Sequence, residues 1–254
     1  MTTMSGTLLR LRITIGLSTL LALATAGARA DRRSFIRSYE YATQPKGNLE
    51  LELWNEVDAP RTAFTDSLIV TRVELEYGLT DHWDLALYHV FEQGGPQADA
   101  RPFHFGSWRL ETRYRLAEKG EWPVDVMLYG ELERPADLGA PFETEEKLIL
   151  EKEVGKLGVV LNLVASQHLL RADLGRSFEV DLGARYEVMP QLRLAAEFWT
   201  THEFVGLDVA RNYYLGPSVS VATERVWLQF GIGFGLDSSQ DQKMQIRSVL
   251  GFNL

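Results

Sequence analysis

The sequence predicts an all-β fold, a twelve-stranded antiparallel transmembrane β-barrel over residues 47–254. Three observations carry this. Apolar residues fall on alternate positions in segment after segment, the positions between them are filled with charge, and the breaks alternate between short turns and longer polar loops. Leu49, Leu51 and Leu53 interleave with Asn48, Glu50 and Glu52; Phe178, Val180, Leu182, Ala184 and Tyr186 interleave with Glu179, Asp181, Gly183 and Arg185. Successive side chains of an extended chain point to opposite faces, so each segment has one greasy and one charged face.

Residues 1–30 read as a cleaved export signal. Arg10 and Arg12 supply a positive lead, Ile13 to Ala26 form an apolar run, and Ala28-Arg29-Ala30 gives the small-x-small cleavage pattern. That run of about 14 residues is short of the ~20 that a spanning helix needs. Residues 31–46, with Phe35, Tyr39 and Tyr41 before Pro45, are open to three readings: a periplasmic lead-in, a short plug, or an extra strand. Twelve strands then follow, at about 47–57, 67–79, 82–91, 103–116, 123–133, 143–154, 159–168, 175–188, 192–200, 211–222, 226–235 and 243–254. Tight turns separate them at Leu79–His82, Ala117–Trp122, Gly155–Gly158, Met189–Gln191 and Thr223–Arg225. Longer polar breaks alternate with these, near Asp58–Asp66, Glu92–Pro102, Arg134–Phe142, Leu169–Leu174, Thr200–Arg211 and Asp237–Gln242. Short turns on one side and long loops on the other, joining strands of roughly ten residues, are the pattern of outer-membrane barrels.

The last strand places Met244, Ile246, Leu250, Phe252 and Leu254 on one face and resembles the terminal strand by which outer-membrane assembly machinery recognises its substrates. Tyr77, Trp83, Trp108, Tyr114, Phe178, Tyr186, Phe198 and Tyr213 fall near strand ends, where interfacial aromatic girdles form. The chain has no cysteine, which excludes disulfides, thiol nucleophiles and thiolate metal sites. Its formal charge of −9 becomes −12 once Arg10, Arg12 and Arg29 leave with the signal, which argues against nucleic acid as a partner. No cofactor is expected.

With the apolar phase toward lipid, the charged phase lines the interior. The candidate pore-lining residues are Glu50, Glu52, Arg72, Glu74, Glu76, Arg109, Glu111, Arg113, Arg115, Asp125, Glu131, Glu151 and Glu153. Acids exceed bases there, and a charge on the lipid face would cost about 2–4 kcal/mol at the midplane, so the two phases cannot be exchanged. Either the interior is a water-filled, cation-favouring pore, or Arg and Glu pair across strands and close a narrow barrel. Gly231, Gly233 and Gly235 alternate within a strand, so they leave room for bulky neighbours or a loop; a nucleotide fingerprint would need strand–turn–helix context.

Catalysis is not expected. The five histidines have no paired zinc-ligand spacing. Ser166 and His168 share one strand face with Asp173 in the next loop. Same-face neighbours sit ~6.5–7 Å apart at their backbones, an awkward but not impossible spacing for an esterase pair. Both point inward, away from a lipid substrate, so they read as polar lumen residues. His89 falls on the lipid-facing phase and takes no role. A lipid-modifying enzyme is the least favoured reading.

The run Glu76-Tyr77-Gly78-Leu79-Thr80-Asp81-His82-Trp83-Asp84-Leu85-Ala86-Leu87 resembles the strand–turn–strand of a group of Gram-negative outer-membrane barrels. That group includes the family named for a MetA pathway of phenol degradation and related transporters; Tyr186–Leu192 is a looser echo. The resemblance implies passage of small molecules, hydrophobic ones included, and transfers no catalytic or substrate residues. The sequence thus predicts an outer-membrane channel or transporter whose partners are outer-membrane lipid, the assembly machinery and small solutes or ions. The alternative is a closed structural or partner-binding barrel.

Overall fold

A computed structural model describes residues 32–95, 101–169, 175–205, 208–238 and 242–254. The expected signal segment, residues 1–30, lies outside the described residues, as does Asp173. Twelve strands run β1 Leu49–Pro60, β2 Leu68–Thr80, β3 Trp83–Gly94, β4 His104–Arg115, β5 Asp125–Pro135 and β6 Phe142–Val154. They continue with β7 Leu157–Leu169, β8 Arg176–Met189, β9 Leu192–Val205, β10 Asp208–Ala222, β11 Val226–Gly235 and β12 Gln242–Asn253. Each pairs antiparallel with its sequence neighbours, and β1 pairs with β12 from Glu50↔Asn253 onward, closing the barrel. Closure leaves no sheet edge. The only other element among the described residues is a 3-10 turn at Phe64–Asp66.

Strands of about 12 residues at ~3.3 Å rise, tilted by roughly 40°, span about 30 Å, enough to cover the apolar band of an outer-membrane barrel. The outer face supplies that band: Leu75, Leu87, Leu110, Leu128, Leu182, Leu194, Leu215 and Leu228 are all exposed. Exposed Tyr77, Trp83, Tyr114 and Tyr186 ring the short-turn end, and Phe105, Phe178, Phe204 and Phe234 ring the other. The tight turns include Gly155 at φ 61°, a left-handed conformation that glycine adopts without a Cβ clash.

One boundary departs from the sequence reading. The long loop expected at Thr200–Arg211 is mostly strand: β9 continues to Val205 and β10 begins at Asp208, with Asp208↔Val205 in register. Polar residues such as Thr201, Glu203 and Asn212 marked a loop by composition, yet a wall facing water on its inner side accepts them in a strand.

Candidate functional site in the barrel lumen

Residues 32–46 lie inside the barrel. The segment begins near Glu187 and Arg193 at the short-turn end, rises to Arg37, and returns to Lys46, which bridges Gly78. Such a segment has extended backbone and no neighbouring strand, so its amides need other acceptors. Wall side chains provide them. Glu197 on β9 accepts the amides of Ile36 (2.5 Å), Arg37 (3.0 Å) and Ser38 (3.0 Å). Asn162 on β7 bonds both the Tyr39 amide (2.6 Å) and the Tyr39 carbonyl (3.0 Å). Glu151 accepts from Tyr41 N (2.6 Å), Asp84 from Gln44 N (2.9 Å) and Asp81 from Lys46 N (3.0 Å). Within the segment, Glu40 holds Ser34 N (2.6 Å) and Oγ (2.9 Å), pinning the rising and returning limbs together.

Apolar side chains seat the same segment. Phe35 packs with Val160 and Ala195 over Gly183, where an added Cβ would stand 2.6 Å from its ring. Ile36 joins the stacked pair Trp199 and Tyr214, whose centroids lie 5.0 Å apart, and covers Gly231. The Trp199 ring covers Gly233. The alternating glycines of β11 thus make room for a wall ring and for the inner segment. Tyr39 and Tyr41 pack with Met127, Tyr129 and Ile149.

The pairing register explains why so many charges lie here. Carboxylates stand directly opposite one another at Glu50↔Glu76 and Glu52↔Glu74, at Glu111↔Glu131, and at Asp125↔Glu151 and Glu131↔Glu145. Like charges facing across a ladder repel, by roughly 3 kcal/mol at ~5 Å and an effective dielectric near 20. Each needs a cation inserted nearby. Arg113 serves Asp84 in bidentate fashion (3.1 and 2.7 Å), together with Glu76 and Glu111. Arg109 bonds Glu131 (3.1 Å) and Glu133 (2.9 Å), and Lys147 pairs with Glu145 (2.8 Å). Arg185 joins Glu151 (2.8 Å), Glu153 and Glu40 (2.6 Å), and Lys119 reaches Glu153 at 3.0 Å. Arg72 and Arg247 share Glu56.

The wall leaves some acids for the inner segment, which carries Arg32, Arg33, Arg37 and Lys46 against Glu40. Arg37 bonds Glu179 through two nitrogens, each at 2.5 Å. Arg33 lies between Glu52 (3.3 Å) and Glu74 (3.9 Å). Burial and the adjacent Arg193 push the Arg32 guanidinium down to about 10, which leaves it charged at neutral pH.

All thirteen residues singled out in the sequence face the interior. Glu50 accepts from Trp227 Nε1 (2.9 Å), Glu74 from Trp54 Nε1 (2.8 Å), and Asp125 from Gly120 N (2.6 Å), while Arg115 donates to the Asp81 carbonyl. Glu197, Asn162, Glu179 and Trp54 complete the arrangement. Glu197 and Glu179 sit on the charged phase, but nothing local distinguishes them, and Asn162 and Trp54 carry no periodic signal. Ser166 and His168 do not meet: Ser166 bonds Glu145 (3.2 Å) and His168 pairs with Glu143 (3.2 Å). His89 packs beside Phe105, 6.2 Å between ring centres.

Above Arg37 the barrel opens into a vestibule of about 770 Å³, lined by Glu56, Asp58, Thr201, Glu203, Asn212 and Gln245 among others. Below it, cavities of about 60 and 20 Å³ flank the inner segment. The first is large enough for several waters, the second for one or two.

A closed antiparallel wall, apolar outside and charged within, defines a twelve-stranded transmembrane β-barrel. The chain is similar in fold to an outer membrane channel from Pseudomonas putida F1 (TM-score 0.65, 18% identity, 87% of this chain and 100% of that one). It is similar also to the NanC porin (0.59, 9%, 80% and 100%) and the KdgM porin (0.56, 9%, 81% and 99%). No family model and no curated protein matches the chain. The matches support an outer-membrane barrel and do not confirm the narrower resemblance to the MetA phenol-degradation group. The expectation that the chain is no enzyme is corrected: the matched structures are 18% identical or less and speak to the fold alone, and a likeness of fold neither assigns nor excludes catalysis.

Proposed function

We propose that the protein is an outer-membrane channel for small solutes, exported through a cleaved signal in residues 1–30 and held closed here by residues 32–46. The observation that carries this reading is the seating of that segment. It is fixed by side-chain hydrogen bonds, ion pairs and apolar packing and, up to its bridge at Lys46, is no member of the wall, so it can leave while every strand ladder stays intact. The acids it would uncover, Glu52, Glu74, Glu179 and Glu197, favour cations along the path. Short turns then face the periplasm, and the vestibule faces outward. Lipid at the apolar band and the assembly machinery at the last strand are the other partners.

The test is single-channel recording in planar bilayers under a KCl gradient, on the full chain and on a variant lacking residues 32–44. Rare openings in the full chain, sustained openings in the variant, and a cation-selective reversal potential weakened by Glu74→Gln support the proposal. A folded variant that stays silent refutes it and favours a closed barrel. The ion-paired wall around Arg113 and Arg185 is the feature that speaks for that second reading.

A further inference from the structure

The channel reading leaves the nature of its solute open, and one wall site bears on this. Glu52 and Glu74 face each other across β1 and β2, both buried. Trp54 follows Glu52 on the same inner face, and its Nε1 bond to Glu74 (2.8 Å) fixes the indole beside the two carboxylates. These three groups come from two adjacent strands and need nothing from the inner segment to hold their positions. Into the space between them the segment inserts the Arg33 guanidinium, 4.6 Å above the Trp54 ring and 4.5 Å from Tyr39.

The occupant fits incompletely. Arg33 Nε reaches Glu52 at 3.3 Å, but Nη2 stands 3.9 Å from Glu74 Oε1, and neither of those two buried atoms makes a hydrogen bond. A planar cation over an indole and flanked by two carboxylates is the arrangement that recognises guanidinium. The site also lies on the path through the barrel. Trp54 lines the cavity of about 60 Å³ on one side, and Glu52 lines that of about 20 Å³ on the other.

Two facing carboxylates in a buried wall need a cation or a shared proton between them, and here a cation is what the chain supplies. We propose that Glu52, Glu74 and Trp54 form a binding site for the guanidinium group of a small organic cation, and that Arg33 occupies it as a built-in competitor when the channel is closed. The proposal rests on the channel reading for its role in transport, but the binding site can be tested separately. When a solute guanidinium fills the site, Arg33 is displaced and the inner segment loses one of its anchors. Solute recognition and opening are then one event.

The test uses the full chain and its Arg33→Ala variant, with methylguanidinium chloride as the probe and sodium chloride at equal ionic strength as the control. Thermal unfolding reads binding and planar-bilayer recording reads opening. Methylguanidinium is expected to raise the melting temperature of Arg33→Ala, with half-saturation at least about ten-fold lower than in Arg33→Ala/Glu74→Gln, since a charge-assisted bond is lost in the latter. In the full chain it is expected to raise open probability where sodium does not. Potassium current with no methylguanidinium effect in either assay overturns the inference and leaves the channel standing. Stabilisation by methylguanidinium with no current in any variant keeps the site and overturns the channel. Absence of both overturns both.

Discussion

The inner segment hangs most heavily on one side chain, Glu197, and its removal gives the sharpest test. In Glu197→Ala three consecutive amides, of Ile36, Arg37 and Ser38, lose their acceptor at 2.5–3.0 Å. Hydrogen bonds to a charged group contribute about 1.5–3 kcal/mol each. The three share one carboxylate and are not additive, so a net loss of about 3–4 kcal/mol is expected. The barrel wall is untouched, because Glu197 belongs to a ladder whose backbone pairs, Glu197↔Gly183 and Glu197↔Gly216, do not depend on its side chain. The loss therefore falls on the equilibrium between seated and released segment. At about 1.4 kcal/mol per decade, the released fraction rises by roughly 10²–10³.

The assay is labelling of a cysteine introduced at Ser34, which is buried, by a hydrophilic maleimide, alongside open probability in bilayers. Glu197→Ala is expected to accelerate labelling and raise open probability together, and Glu197→Gln, which keeps one acceptor oxygen, to do so less. Unchanged labelling and unchanged opening in a barrel that still shows heat-modifiable gel mobility would refute the argument that these hydrogen bonds hold the segment.

Further outcomes follow from the same structure. Asn162→Leu, which removes both bonds to Tyr39, should weaken seating by about 1–3 kcal/mol, read as faster labelling in the same Ser34→Cys background. Gly183→Val should drive Phe35 from its seat, since even a Cβ there stands 2.6 Å from the ring; conductance rises while melting of the barrel changes little. Arg113→Met should strand Glu76, Asp84 and Glu111, costing about 3–5 kcal/mol of barrel stability, seen as a lower urea midpoint. Raising salt from 0.1 to 1 M should increase open probability of the full chain modestly, because buried pairs are screened less than exposed ones.

Most strands were legible because each must put an apolar residue toward lipid at every second position, and twelve successive solutions to that constraint leave a visible period. The β9–β10 boundary was missed for the converse reason. Beyond the bilayer a strand has no lipid phase to satisfy, so Thr201 to Arg211 reads as polar loop although Asp208 pairs with Val205. The charged phase identified the interior residues but not their partners. Residues 32–46 have no periodicity that could announce where they go, and Ile36 meets its acceptor 161 positions away.

The amino-acid sequence by itself determined a closed β architecture, its strand number, and which side of each strand meets lipid and which meets charge. All of these follow from a local alternation imposed by the solvent on either side of a two-faced wall. Tertiary structure decided that the acidic interior is filled by a basic segment of the same chain. It also decided that Glu52 faces Glu74, that Arg33 lies between them, and that Glu197 takes three amides from a distant loop. Those pairings depend on the register of twelve ladders and on the route of an aperiodic segment. The β1–β2 hairpin register sets Glu52 against Glu74. Arg33 and the amides of residues 36–38, by contrast, meet their acceptors only once the wall encloses the inner segment, which no local window of the sequence specifies.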